Sequence, residues 1–149
     1  IDAANILGVP LVATEQYPKG LGGTVPDLKS RVTHCFEKTK FSMCVPQVEE
    51  VLNASPDRKN LVLFGVESHV CVYQSCMDFL EKGYNVHILA DAVSSRSSFD
   101  REIAIDRMRQ AGACIVTSEN VLFDLCREKE HPHFKEISKL VRDTIEPHF

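Results

Sequence analysis

The chain has 149 residues, 44% hydrophobic and 26% charged. That is enough for one domain with a real core. A net charge of −4 leaves no broad basic footprint for nucleic acid or an anionic membrane surface, and no apolar run reaches the roughly 18 residues that span a bilayer.

The opening, Ile1 to Gly8, reads as the last two turns of a helix closed by a C-cap glycine. A domain rarely begins with half a helix, so one domain over 1–149, truncated at its N-terminus, is expected. Val9 to Thr14 is a β-branched run, read as a buried strand with Pro10 at its start. Glu15 to Pro26 holds three Gly and two Pro and reads as a long loop just past a strand's carboxyl end, where open α/β sheets place ligands. Arg31 to Glu37 follows as a short strand. Val48, Val51 and Leu52 give helical spacing after Pro46.

Leu61 to Phe64 is an apolar strand that stops at Gly65. A short polar step leads to Cys71, where an amphipathic helix begins. A helix N-terminus carries partial positive charge and free N–H groups, which favour a thiolate. Val70, Tyr73, Met77 and Leu80 form the expected stripe of this helix, which Gly83 stops. Tyr84 to Ala90 is the next strand, ending at Asp91-Ala92. Ser94 to Ser98 is a polar loop, with an interface contact as its other reading. Phe99 to Ala111 is a helix with Ile103, Ile105 and Met108 as apolar positions and Gly112 as cap. Ala113 to Thr117 is a strand, Asn120 to Glu128 a helix behind Ser118, and Phe134 to Asp143 a last helix with Phe134, Ile137, Leu140 and Val141 on one side. The tail beyond Thr144 is expected to fray.

Strand and helix thus alternate at about 25-residue spacing. This predicts an α/β fold, a doubly wound, mostly parallel sheet with helices on both faces. The six cysteines form no CxxC or zinc-ribbon spacing. A chain of this size does not need disulfides, so a reducing compartment is expected, the cytoplasm first, with mitochondrion or nucleus as alternatives.

Gly65-Val-Glu-Ser-His-Val-Cys71-Val, followed by Gly83-Tyr-Asn-Val-His-Ile-Leu-Ala-Asp91-Ala, resembles the isochorismatase-like cysteine hydrolases. Thr14-Glu-Gln-Tyr-Pro-Lys-Gly-Leu-Gly22, Lys38-Thr-Lys-Phe-Ser-Met43, Ser94-Ser-Arg-Ser and His131-Pro-His-Phe-Lys-Glu-Ile137 are similar to the eukaryotic isochorismatase domain-containing proteins. The resemblance runs from Gly8 to Val141. It implies a Rossmann-like three-layer fold and a catalytic cysteine, lysine and aspartate. The cysteine falls on Cys71 and the lysine on Lys38, with Lys40 a near neighbour. The aspartate belongs to a D-x-Q motif at the end of a first strand, and this chain has none. That strand is expected to be lacking.

The resemblance further implies an oxyanion hole of the Glu67 and Cys71 N–H groups and a cis peptide between Val66 and Glu67. Tyr17, Leu21 and Phe41 become candidate pocket residues. True isochorismatases cleave a vinyl ether without this cysteine, so Cys71 favours an amide-cleaving branch acting on a small-molecule substrate. Nicotinamidases carry an Asp-x-His metal pair where this chain reads Glu15-Gln16-Tyr17. Carboxylate plus amide is a poor zinc pair, so no metal and no cofactor are expected. A homo-oligomer is expected from the family. The rival reading is a non-catalytic interaction protein on a hydrolase fold.

His69, Cys76, His131 and His133 have weaker claims to chemistry. His69 next to Cys71 suggests a Cys–His dyad, but neighbours at a turn seldom face each other, and a pocket-wall or solvent role is preferred. Cys76 is assigned to the core. His131 and His133, with Pro132 between them, are assigned to the start of the last helix rather than to a metal pair.

Overall fold

In the computed structural model, residues 1–144 are described; the expected fraying beyond Thr144 lies outside them. The chain divides into two compact units. The first comprises Ile1–Ala13, Thr24–Cys35 and the residues from Glu119 onward, and the second Thr14–Gly23 and Phe36–Ser118.

The elements run α1 (Asp2–Ile6), β1 (Val12–Gln16), α2 (Pro18–Leu21), α3 (Pro26–Lys29), β2 (His34–Lys38), α4 (Pro46–Asn53) and β3 (Asn60–Val66). A π-helical turn, Ser68–Val72, leads into α5 (Tyr73–Glu81). Then come β4 (Asn85–Ser94), α6 (Ser98–Gln110), β5 (Cys114–Val116), α7 (Ser118–Cys126) and α8 (Phe134–Thr144). The fold is α/β, with parallel strands flanked by helices.

In the first unit α1, α7 and α8 share a core of Ala3, Cys126, Ile137 and Val141, with Ile6, Leu122 and Phe134 packed on it. The expected stripe of α8 is therefore the buried one. The carbonyl of His131 takes the Phe134 N–H and that of His133 the Ile137 N–H, so this pair does lead into the last helix.

Strand β1 begins later than the β-branched run suggests. The Leu11 carbonyl accepts from the Thr33 and His34 N–H groups, while Val9-Pro10 stays outside because proline has no N–H to give. At the far end the Tyr17 N–H bonds to the Lys38 carbonyl at 2.8 Å, and polar Glu15-Gln16 joins the strand. Pairing advances in the same direction along both chains, so β1 and β2 are parallel. The stretch read as a long loop contains two one-turn helices, α2 and α3, each with proline at its start.

The second unit is built on β3–β4–β5, all parallel and in sequence order. Leu63, Val72, Cys76, Phe79, Val86, Ile88 and Met108 fill its core. Burying one such side chain as large as Phe79 contributes about 2–3 kcal/mol. The register of β3 with β4 holds from Asn60↔Asn85 to Leu63↔Ile88, then slips to Gly65↔Val93. Gly65 sits at φ 116°, a conformation that residues with a Cβ rarely adopt. The slip carries β4 beyond Asp91 to Ser94, past the end that the apolar run predicts.

Two helix faces differ from expectation. In α5 the buried positions are Ser75, Cys76 and Phe79, following Val72 of the π turn, not Val70, Tyr73, Met77 and Leu80. Ser75 can lie in the core because its hydroxyl donates to the Cys71 carbonyl and accepts the Met43 N–H. In α6 Ala104 takes the place given to Ile103, which is exposed.

Candidate active site

The residues singled out for chemistry lie in the second unit, between Thr14 and Gly23 and between Phe36 and Ser118. Lys38 ends β2. Its side chain is only 8% exposed, and an ammonium in that position must be hydrogen-bonded. It donates to Gln16 Oε1 at 2.6 Å, to the Phe41 carbonyl at 2.7 Å and to the Lys40 carbonyl at 3.0 Å. An ammonium has three protons and all three are used. Lys38 is therefore a fixed positive charge rather than a free donor. Burial lowers its pKa from the ordinary lysine value, while the charge of nearby Cys71 opposes that shift.

Lys40 does not compete for the role. It points to Asp78 at 2.7 Å and is exposed. With Cys44, Glu49, Glu81 and Lys82 these residues line a cavity of about 450 Å³. Both lysines there are already paired, Lys40 with Asp78 and Lys82 with Glu49. This cavity lacks Lys38 and Cys71 among its lining residues, so the chemistry argued from those two is placed elsewhere.

Cys71 lies half-buried in the π turn. An α-helix would give the Glu67 carbonyl to the N–H of Cys71, four residues on. Here that carbonyl takes the Val70 and Val72 N–H groups, at 3.1 and 3.2 Å. The bond that regular helix geometry would assign to Cys71 goes to its neighbour. Such π turns recur at functional sites. The Val66–Glu67 peptide is cis, as the resemblance implies.

Ser75 ties the two halves of the site together. Its hydroxyl donates to the Cys71 carbonyl at 2.6 Å and accepts the Met43 N–H at 2.8 Å. The segment that offers the Lys40 and Phe41 carbonyls to Lys38 is thereby linked to the Cys71 turn. Tyr17, Leu21 and Phe41 are all exposed. Tyr17 and Phe41 reach Lys38 through their backbones, and the Leu21 N–H bonds to the Tyr17 carbonyl. Tyr17 adopts φ 41°, and its ring lies where a Cβ on Gly20 would be, 2.3 Å from Cε1. Only glycine admits the ring in that place.

His69 does not complete a dyad with Cys71 through Nδ1, which meets Ser95 Oγ at 3.0 Å. Cys76 is fully buried, and burial pushes its thiol up to about 11. Among the described residues no group of three or more His, Cys, Asp or Glu is placed to hold a metal.

Gln16 and Ser75 are the residues that sequence reasoning missed. No local pattern marked Gln16, which lies beyond the β-branched run and takes its place in the site through Lys38 on the paired strand. Gln16 also donates through Nε2 to the Thr39 carbonyl at 2.7 Å, so its amide is fixed at both ends. Gln16→Ala is expected to lower turnover about tenfold by freeing one Lys38 proton and loosening the charge. Steady-state kinetics on the purified variant would measure it, and unchanged kcat/KM would remove Gln16 from the site.

The isochorismatase domain model matches residues 1–120. Isochorismatase domain-containing protein 2 of Xenopus laevis is 48% identical over 96% of this chain and 70% of its own length. Isochorismatase domain-containing protein 1 of Danio rerio is also 48% identical, over 95% of this chain and 50% of its own length. This chain therefore spans about half of that second relative. The solved structure of MAR1 ribonuclease from Caenorhabditis elegans superposes with a TM-score of 0.91 at 49% identity, covering 99% of this chain and 77% of that one. No helix among the described residues is long and apolar enough to cross a membrane. With a domain match over most of its length and relatives near half identity, this chain belongs to the isochorismatase family.

Proposed function

We propose that this domain serves a hydrolase that cleaves a small amide through Cys71. The observation that carries the reading is the saturated Lys38 ammonium in electrostatic contact with Cys71. An ordinary thiol is mostly protonated near neutral pH, and a fixed positive charge favours its thiolate. The Sγ–carbon bond forms as the thiolate attacks the carbonyl. The oxyanion is received by the Glu67 and Cys71 N–H groups. The amine leaves with a proton, and water then cleaves the thioester and restores the thiol. Tyr17, Leu21 and Phe41 line the approach to the carbonyl. The acid–base aspartate that the family resemblance implies would carry the thiol proton to the departing amine; no D-x-Q motif occurs among residues 1–149. No metal or cofactor enters this scheme.

We place the protein in a reducing compartment, the cytoplasm first, because a chain of this size and hydrophobicity does not need disulfides. A homo-oligomer is proposed, supported by the exposed apolar side chains of Val62, Phe64 and Val66 at alternate positions of β3. The test is a thiol scan. Cys71 should be alkylated by iodoacetamide near neutral pH at least about tenfold faster than exposed Cys114. Equal rates would mean that no thiolate is favoured at Cys71, and the reading would fall.

RNA cleavage is a second reading, favoured only by the similarity to the Caenorhabditis elegans ribonuclease. A phosphodiester offers a thiolate no carbonyl carbon, and the net charge of −4 works against a polyanion. Degradation of single-stranded RNA that disappears in Cys71→Ala would replace the amide reading.

A further inference from the structure

Three consecutive residues before Cys71, Glu67 to His69, are held by three consecutive residues at the end of β4 and just beyond it, Ser94 to Arg96. The Ser68 hydroxyl donates to the Ser94 carbonyl at 2.8 Å. His69 Nδ1 meets Ser95 Oγ at 3.0 Å. The Arg96 N–H donates to Glu67 Oε2 at 2.8 Å. Ser68 is fully buried, and His69, Glu67 and Ser95 are partly so.

The far side of this segment is anchored as well. The Ser97 hydroxyl caps α6 by accepting the Asp100 N–H. Arg101 reaches back from α6 to the Val93 carbonyl at 2.9 Å and to the Ala90 carbonyl. A loop fixed on both sides can act as a rigid support. The turn, by contrast, has given up part of its regular helical bonding.

The geometry points to Ser94–Arg96 as the positioning element of the Cys71 turn, with Ser95 as its positioning residue. This rests on the proposed cysteine chemistry. Ser95 touches no reacting atom. It acts through His69, which lies between Glu67 and Cys71, the two residues whose N–H groups receive the oxyanion. Its effect should appear in steps that build a tetrahedral oxyanion and vanish in steps that do not.

That distinction supplies the experiment. 4-Nitrophenyl acetate acylates a thiolate through a tetrahedral oxyanion: the Sγ–carbon bond forms, the carbon–oxygen bond breaks and 4-nitrophenolate leaves. The thiol proton goes to buffer. Iodoacetamide alkylates the same sulfur by direct displacement of iodide, with no oxyanion. Ser95→Ala should slow acylation about tenfold, while alkylation of Cys71 stays within about twofold. Ser95→Thr, which keeps the hydroxyl, should restore acylation. Cys71→Ala sets the background for both reagents.

Wild-type acylation by Ser95→Ala would overturn the positioning role. Equal slowing of acylation and alkylation would also overturn it, because the effect would then lie on the thiol itself. If Cys71→Ala reacts with the ester as fast as the wild type, it is the cysteine mechanism that fails, a result distinct from either of these.

Discussion

Cys71→Ala is expected to abolish turnover, with a loss of at least about a thousandfold in kcat once a substrate is in hand. The size follows from the kind of step removed. A nucleophile forms and breaks a covalent bond, and neither the Lys38 charge nor the backbone N–H groups can do so in its place. The loss should come without unfolding. Cys71 is half-buried, and removing one sulfur there leaves little cavity. The matched control is Cys76→Ala. That thiol is fully buried, and burial holds it up at about 11. Its removal should lower stability by about 1–2 kcal/mol and leave turnover intact. Thermal unfolding and steady-state rates on both variants separate the outcomes. If Cys71→Ala turns over at the wild-type rate, the cysteine mechanism is wrong.

Those two cysteines show which parts of the site could be read from the chain. Cys71 was legible because a local pattern marks it: an apolar strand, a glycine and a helix start within eleven residues. Lys38 was legible through its motif. Gln16 was not, since its meaning depends on a strand partner 22 residues away. Ser75 was not, because a hydroxyl that bonds the carbonyl four residues back looks polar in sequence yet is buried in the fold. The same serine disguised the true buried face of α5. The α/β alternation itself was readable from spacing. The register slip at Gly65 was not, since it extends β4 through polar Asp91 by pairing rather than by propensity. Local pattern carried the elements and marked Cys71 as the candidate; the support around them is made of contacts between distant segments.

The lysine tests that support most directly. Lys38→Met removes a buried charge and three donated hydrogen bonds together, and the two effects on stability oppose each other. Gln16 Oε1 and two carbonyls lose their donor, at about 1–3 kcal/mol for each group left unsatisfied. Against that, the burial penalty of a cation, several kcal/mol in real proteins, is relieved. The net change should be small, within about 2–3 kcal/mol by chemical denaturation. The rate should not be spared. Under the proposed mechanism a fixed charge near Cys71 has no substitute, and its loss is expected to lower kcat/KM about a hundredfold or more.

The pH dependence follows from the direction of the lysine's shift. Burial lowers its folded pKa below the unfolded value. Between the two, the unfolded chain binds the extra proton, so stability rises with pH across that window. Below it both states are protonated and the burial penalty is fully present. Activity should run the other way. As pH climbs through the lowered lysine pKa, the positive charge is lost and kcat/KM should fall before the ordinary lysine range near 10.4 is reached. A wild-type profile flat to that range would show that the Lys38 charge is not what activates Cys71. An unchanged kcat/KM in Lys38→Met would show the same by an independent route.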